Sequence, residues 1–207
     1  MYTKDMSDFS HGYFTSSIFL TIFILSVAIT SIPIYIMGYS GIESSLYVMF
    51  FAELQLAIVS YSVFFRRLSE FHLSGFSARQ FFSALTIIIA LQVCYMMLQD
   101  GSGINLGFLP VVIMVIVIPF FEEVFYRGCL FGFICSIYKK DLILPAVLSS
   151  LIFSIMHMQF TSIIEYALIF AVGLILSYAR VITKGLLLPM ALHSTMNAFV
   201  LTANFFV

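Results

Sequence analysis

Charge is what this chain has least of. Asp, Glu, Lys and Arg together supply 9% of its 207 residues, while 62% are hydrophobic; an ordinary soluble domain is roughly a quarter charged and about half apolar. That scarcity excludes a water-soluble globular protein. The net charge is -1, with no long basic or acidic run, which excludes the electrostatic signature of a nucleic-acid or acidic partner. Cysteine is also sparse. Cys94, Cys129 and Cys135 all fall in apolar stretches, and an odd number without metal-type spacing gives no disulfide framework. The polar start, MYTKDMSDFSHGY, has one lysine and no small-residue cleavage site, so the first apolar segment is expected to be a retained helix rather than a removable signal peptide.

What is present is apolar sequence in long runs. Seven segments stand out, over 14–36, 45–65, 81–98, 108–138, 142–158, 162–178 and 185–206. At roughly 20 residues per span they fill the chain. The expected architecture is therefore all-α: one integral membrane domain over 1–207, a polytopic bundle of about seven transmembrane helices, with no room for a separate soluble domain. Lys4, Arg66, Arg67, Arg79, Lys139, Lys140, Arg180 and Lys184 all fall before the first segment or between segments two and three, four and five, and six and seven. Cytoplasmic loops attract Lys and Arg, so the N-terminus is expected in the cytoplasm and the C-terminus outside. Arg127 alone lies within a segment.

Arg127 does not stand alone. PFFEEVFYRGCL, residues 119–130, also carries Glu122 and Glu123, and each such charge costs about 2.5 to 3.5 kcal/mol at a bilayer centre on insertion scales. Glu123 and Arg127, four apart, share a helical face and can pair, while Glu122 points about 100° away. The unpaired Glu122 is thus the better candidate to take and return a proton; a purely structural polar cluster is the alternative. Gly128 and Gly132, four apart, suit close helix packing. Further along, FSIMH places His157 at the end of an apolar run, and HSTMN puts His193 and Asn197 on one face of the last helix. At about 1.5 Å per residue, Glu122 and His157 lie roughly 23 Å from the cytoplasmic ends, Asn197 about 20 Å and His193 about 14 Å. Glu53, mid-span in the second segment, is expected either to line a cavity or to bind a polar partner.

Taken in order, E-E-x-x-x-R at Glu122, Glu123 and Arg127, F-x-x-x-H at Phe153 and His157, and H-x-x-x-N at His193 and Asn197 resemble the three motifs of the CAAX-prenyl-protease and bacteriocin-processing family of intramembrane proteases. The resemblance covers about 108–207. The family usually has around eight spanning helices, so an eighth span is the alternative to seven. The resemblance implies peptide hydrolysis. Glu122 would activate water, helped by His157; His193 and Asn197 would polarise the scissile carbonyl; Arg127 would orient Glu123. A zinc version would use Glu122, His157 and His193 as ligands, but no two candidates have the H-E-x-x-H spacing, which favours the metal-free form. No G-x-G-D occurs, and Asp5, Asp8, Asp100 and Asp141 all lie outside the segments. The implied substrate is a peptide or protein at a bacterial cell membrane, in bacteriocin or signalling-peptide maturation or self-immunity. The rival is a non-catalytic membrane partner in export or immunity that uses the same polar cluster for binding.

Overall fold

The computed structural model describes residues 13–63, 75–98, 107–138 and 141–205. Lys4, Arg66, Arg67, Lys139 and Lys140, used above to orient the chain, lie outside the described residues, as do His11 and His72. Among the described residues there is no strand, and the fold is a helical membrane bundle. Its helices are α1 (Tyr13–Ile29), α2 (Ile32–Ser40), α3 (Ile42–Val63), α4 (Ala78–Met96), α5 (Phe108–Val112), α6 (Ile118–Glu122), α7 (Phe131–Ile137), α8 (Ile143–Ile155), α9 (Ile163–Thr183) and α10 (Leu187–Phe205). Two π-helical stretches, π1 (Ile113–Val117) and π2 (Glu123–Leu130), join α5, α6 and α7 into one long rod.

The first apolar segment is two helices rather than one. Thr30 and Ser31 turn their hydroxyls back onto the Val27 and Ala28 carbonyls at 2.7 and 2.6 Å, and Pro33 follows, so the α1 hydrogen-bond ladder stops. Gly41, at φ 78, then provides the positive φ for an immediate turn into α3. The α1–α2–α3 hairpin is tied at mid-depth by Ser26 Oγ, which donates to Glu53 Oε1 at 3.2 Å. Capping boxes start α4 at Ser77 and Gln80 and α9 at Ser162 and Glu165. Tyr95 donates to Glu165 at 2.9 Å and joins those two helices.

By length and composition five stretches can cross a membrane: 16–40, 42–63, 78–96, 108–137 and 163–183. The remaining two segments differ from the sequence expectation for separate reasons. α8 has 13 residues, about 20 Å of helix against a hydrocarbon core of about 30 Å. α10 is long enough, but His193, Ser194, Thr195, Asn197, Thr202 and Asn204 dilute its hydropathy.

π2 runs through the middle of this bundle, and all eight of its residues are buried. Phe19, Ile22 and Phe23 of α1 pack on Phe125, Cys129 and Phe153 in the principal apolar cluster. Two glycines set the helix spacing. A Cβ at Gly132 would stand 2.9 Å from the Phe19 ring, and one at Gly173 would stand 3.0 Å from Ser150 Cβ and 3.3 Å from its Cα. The close α1–α7 and α8–α9 contacts therefore depend on the missing side chains.

Candidate active site

The site is built on the α6–π2 junction. Glu122 ends α6 and Glu123 begins π2, so the two carboxylates leave the rod in different directions. Glu123 and Arg127 are completely buried and joined, Arg127 Nη1 donating to Glu123 Oε1 at 3.1 Å. The guanidinium is held from two further sides. Its Nη2 donates to the Gly173 carbonyl at 3.4 Å, and its Cζ lies 4.2 Å above the Phe153 ring, a cation–π contact that strengthens when desolvated.

His193 of α10 completes the centre. Its Nδ1 lies 2.8 Å from Glu123 Oε1, so the same oxygen receives both the imidazole N–H and the guanidinium N–H. With Nδ1–H spent on Glu123, the ring's other nitrogen is turned towards Glu122: Nε2 and Glu122 Oε2 are 3.7 Å apart, too far for a direct hydrogen bond. Glu122 is the accessible member, its side chain 17% exposed against 0% for Glu123. The Oε2 atoms of both glutamates have no hydrogen-bond partner. Buried carboxylate oxygens normally have one, so these two leave acceptor capacity for a water or a substrate group.

His157 and Asn197 stand at the edge of this centre. His157, just beyond the end of α8, has Nδ1 2.7 Å from the Phe153 carbonyl; a carbonyl only accepts, so Nδ1 carries the proton and Nε2 keeps its lone pair. The Phe153 ring stands between the histidines, its centroid 4.6 Å from His157 and 6.0 Å from His193. Asn197 Nδ2 donates to the Met114 carbonyl in π1 at 2.8 Å, leaving its second N–H and its Oδ1. Of the six residues singled out in the sequence, Glu122, Glu123, Arg127 and His193 form one hydrogen-bonded or near-contact group, while His157 joins through Phe153 and Asn197 through π1. Among the described residues no three His, Cys, Asp or Glu side chains converge as a metal-binding group, so Glu122, His157 and His193 are not assembled here as a ligand set.

Two partners of the site escaped the sequence reading. Gly173 contributes only a carbonyl, and a lone glycine in an apolar helix gives no sign of that. Arg180 was expected in the connection between the sixth and seventh segments. It lies instead in the last turn of α9, 2% exposed, with Nε donating to the Arg127 carbonyl at 3.4 Å. The sequence also contains G-x-S-G at 38–41, a spacing found in serine enzymes, but Ser40 donates to the Ile36 carbonyl on the exposed end of α2, outside this centre.

Comparison with known families falls on the same region. Residues 104–199 match the family model described as type II CAAX prenyl endopeptidase Rce1-like; that span contains all six candidate residues. An Escherichia coli protein described as an uncharacterized 24.3 kDa protein is 40% identical over 78 residues, covering 38% of this chain and 36% of that protein. The membrane-embedded CAAX protease MroQ of Staphylococcus aureus (strain USA300) is 36% identical over 86 residues, 40% of this chain and 34% of the relative. The aligned regions thus span about a third of each curated relative. No solved structure matches. The motif residues thus lie in a span that is similar to the type II CAAX prenyl endopeptidase family and, in the Staphylococcus aureus relative, to a membrane-embedded CAAX protease.

Proposed function

We infer that the chain is an intramembrane endopeptidase in which Glu122 activates a water for attack on a peptide carbonyl. The observation that carries this reading is His193 set between two glutamates, Nδ1 bonded to Glu123 and Nε2 facing the unpartnered Glu122 Oε2. Glu122 takes a proton from water, and the hydroxide adds to the carbonyl carbon. The protonated form of His193, held by Glu123, donates from Nε2 to the developing oxyanion, and the spare N–H of Asn197 is the second donor. His157 Nε2 accepts from the attacking water. When the C–N bond breaks, Glu122 returns its proton to the leaving amine. Arg127 neutralises Glu123 and fixes its orientation.

The substrate class proposed is a peptide or protein at a bacterial cell membrane, with bacteriocin or signalling-peptide maturation, or self-immunity, as the setting. The N-terminus is proposed to be cytoplasmic and the C-terminus outside. The test is to incubate protein reconstituted in lipid with membrane-associated peptides and identify products by mass spectrometry, for wild type, His157→Ala and His193→Ala. The expected result is cleavage by wild type alone, unaltered by a chelator, with both variants folded. A cellular phenotype kept by both variants, with no cleavage even by wild type, would point to a binding partner instead; cleavage retained by both variants would place the hydrolytic centre elsewhere, and loss of wild-type cleavage on chelation would point to a metal centre.

A further inference from the structure

The rod that carries the glutamates changes helical register twice, and each change leaves one backbone carbonyl without a donor. In π1 the N–H of Ile118 reaches back five residues to the Ile113 carbonyl. The Met114 carbonyl then has no backbone donor in either register, because residue 118 is already engaged and residue 119 is a proline. In π2 the N–H of Phe131 goes to the Tyr126 and Gly128 carbonyls, and α7 begins at Phe131. The wide turn that would bring an N–H to the Arg127 carbonyl is not made. The Arg127 carbonyl lies inside the bundle, where an unpaired acceptor is costly, whereas Met114 is on the exposed side of the rod. Both are covered by side chains of other helices: Met114 by Asn197 of α10 and Arg127 by Arg180 of α9.

We propose that Arg180 is a positioning residue of the hydrolytic site: its hydrogen bond to the Arg127 carbonyl fixes the π2 register that aims Glu123 and the Arg127 side chain at His193. The physical reason is that a π turn persists only when the carbonyl it passes over finds another donor. Without one, the segment gains by tightening towards α spacing, which rotates residues beyond the change relative to Glu122. Arg180 sits where it can prevent this. It is buried and one helix away from the chemistry, and it touches the backbone of the very residue whose side chain holds Glu123. Asn197 holds the preceding register change in the same way, so the pair α9 and α10 grips the rod on either side of Glu122 and Glu123.

This inference rests on the endopeptidase reading, and its test separates the two. Arg180→Met keeps the length and removes the donor, while Arg180→Lys keeps a donor. For the reconstituted protein, Arg180→Met is expected to lower kcat about tenfold or more with KM within about twofold, the signature of misaligned groups rather than lost substrate binding. Arg180→Lys should recover most of the turnover. In the same samples labelled with 15N-histidine, the His193 Nδ1 resonance should move in Arg180→Met and stay near the wild-type position in Arg180→Lys. Wild-type turnover in Arg180→Met would overturn the proposal, as would equal losses in both variants accompanied by equal losses of thermal stability. Should Arg180→Met fail to fold, Arg180→Lys decides: wild-type turnover and resonance support the proposal, and loss of either in folded protein overturns it. If wild-type protein cleaves no peptide, the endopeptidase reading fails alone; the His193 resonance still tests the positioning, and an unmoved signal in folded Arg180→Met refutes it.

Discussion

Replacing Glu123 by glutamine removes one charge and almost no volume, and its consequences can be worked out from two distances and the burial of the pair. Glu123 Oε1 receives Arg127 Nη1 at 3.1 Å and His193 Nδ1 at 2.8 Å, and neither Glu123 nor Arg127 reaches solvent. Glutamine keeps an oxygen at that position, so both hydrogen bonds can persist geometrically. It cannot keep the charge, and Arg127 is left buried with only the Gly173 carbonyl and the Phe153 face for compensation. Breaking a buried pair by removing one partner costs about 3 to 5 kcal/mol. For a domain of this size that corresponds to a fall in melting temperature of roughly 6 to 20 °C. Thermal unfolding followed by circular dichroism in detergent measures it. The double variant Glu123→Gln with Arg127→Met removes both charges and should recover most of the stability, because the unpaired cation is gone. It should not recover hydrolysis, since His193 Nδ1 then faces a neutral amide. A loss below about 1 kcal/mol in the single variant, or a double variant no more stable than the single, would refute the buried pair.

Three further outcomes follow from the packing. Gly173→Ala must push α8 from α9, because the new Cβ meets the Ser150 backbone as well as its side chain. The expected cost is about 1 to 3 kcal/mol, with lowered turnover as the Gly173 carbonyl leaves Arg127, read by thermal unfolding and cleavage rate together. Gly132→Ala meets only the Phe19 ring; it should cost a similar amount, and Phe19→Leu in the same chain should restore part of it on the melting curve. Ser26→Ala removes the hydroxyl that donates to buried Glu53 and should lower stability by about 1 to 3 kcal/mol, whereas Glu53→Gln, which can satisfy itself with the same serine, should be tolerated; chemical denaturation of both variants checks the difference.

Local arithmetic made the Glu123–Arg127 pair legible in the sequence, because residues four apart on a helix meet whether or not neighbouring turns are α or π. The separation of Glu122 from that pair was legible for the same reason. Depth was not. Counting 1.5 Å per residue from segment ends put His193 well short of Glu122, yet the two side chains lie 3.7 Å apart. That count holds for straight α-helices, whereas the rod contains two π stretches and α8 is short. Pro119 signalled a disturbed ladder, but residue types do not announce which carbonyl a ladder will omit. Composition does not place Arg180, because a basic residue near a helix end carries the same signal whether it faces water or the bundle. Backbone carbonyls such as those of Gly173 and Met114 carry no side-chain signature at all, and only the packed structure brings them to Arg127 and Asn197. The break after α1 had a local sign in Thr30, Ser31 and Pro33, which a hydropathy count overlooks.

The claim that Glu122 is the base of an assembled hydrolytic centre is tested most directly by the rate at which Glu122→Gln cleaves a peptide that the wild-type protein cleaves, in the same lipid and with the fold checked by circular dichroism. General-base catalysis contributes about a hundredfold to ten-thousandfold, so kcat is expected to fall by at least about a hundredfold. Cleavage by Glu122→Gln within about tenfold of wild type would contradict the account, since a neutral amide cannot take the proton that the mechanism assigns to that side chain.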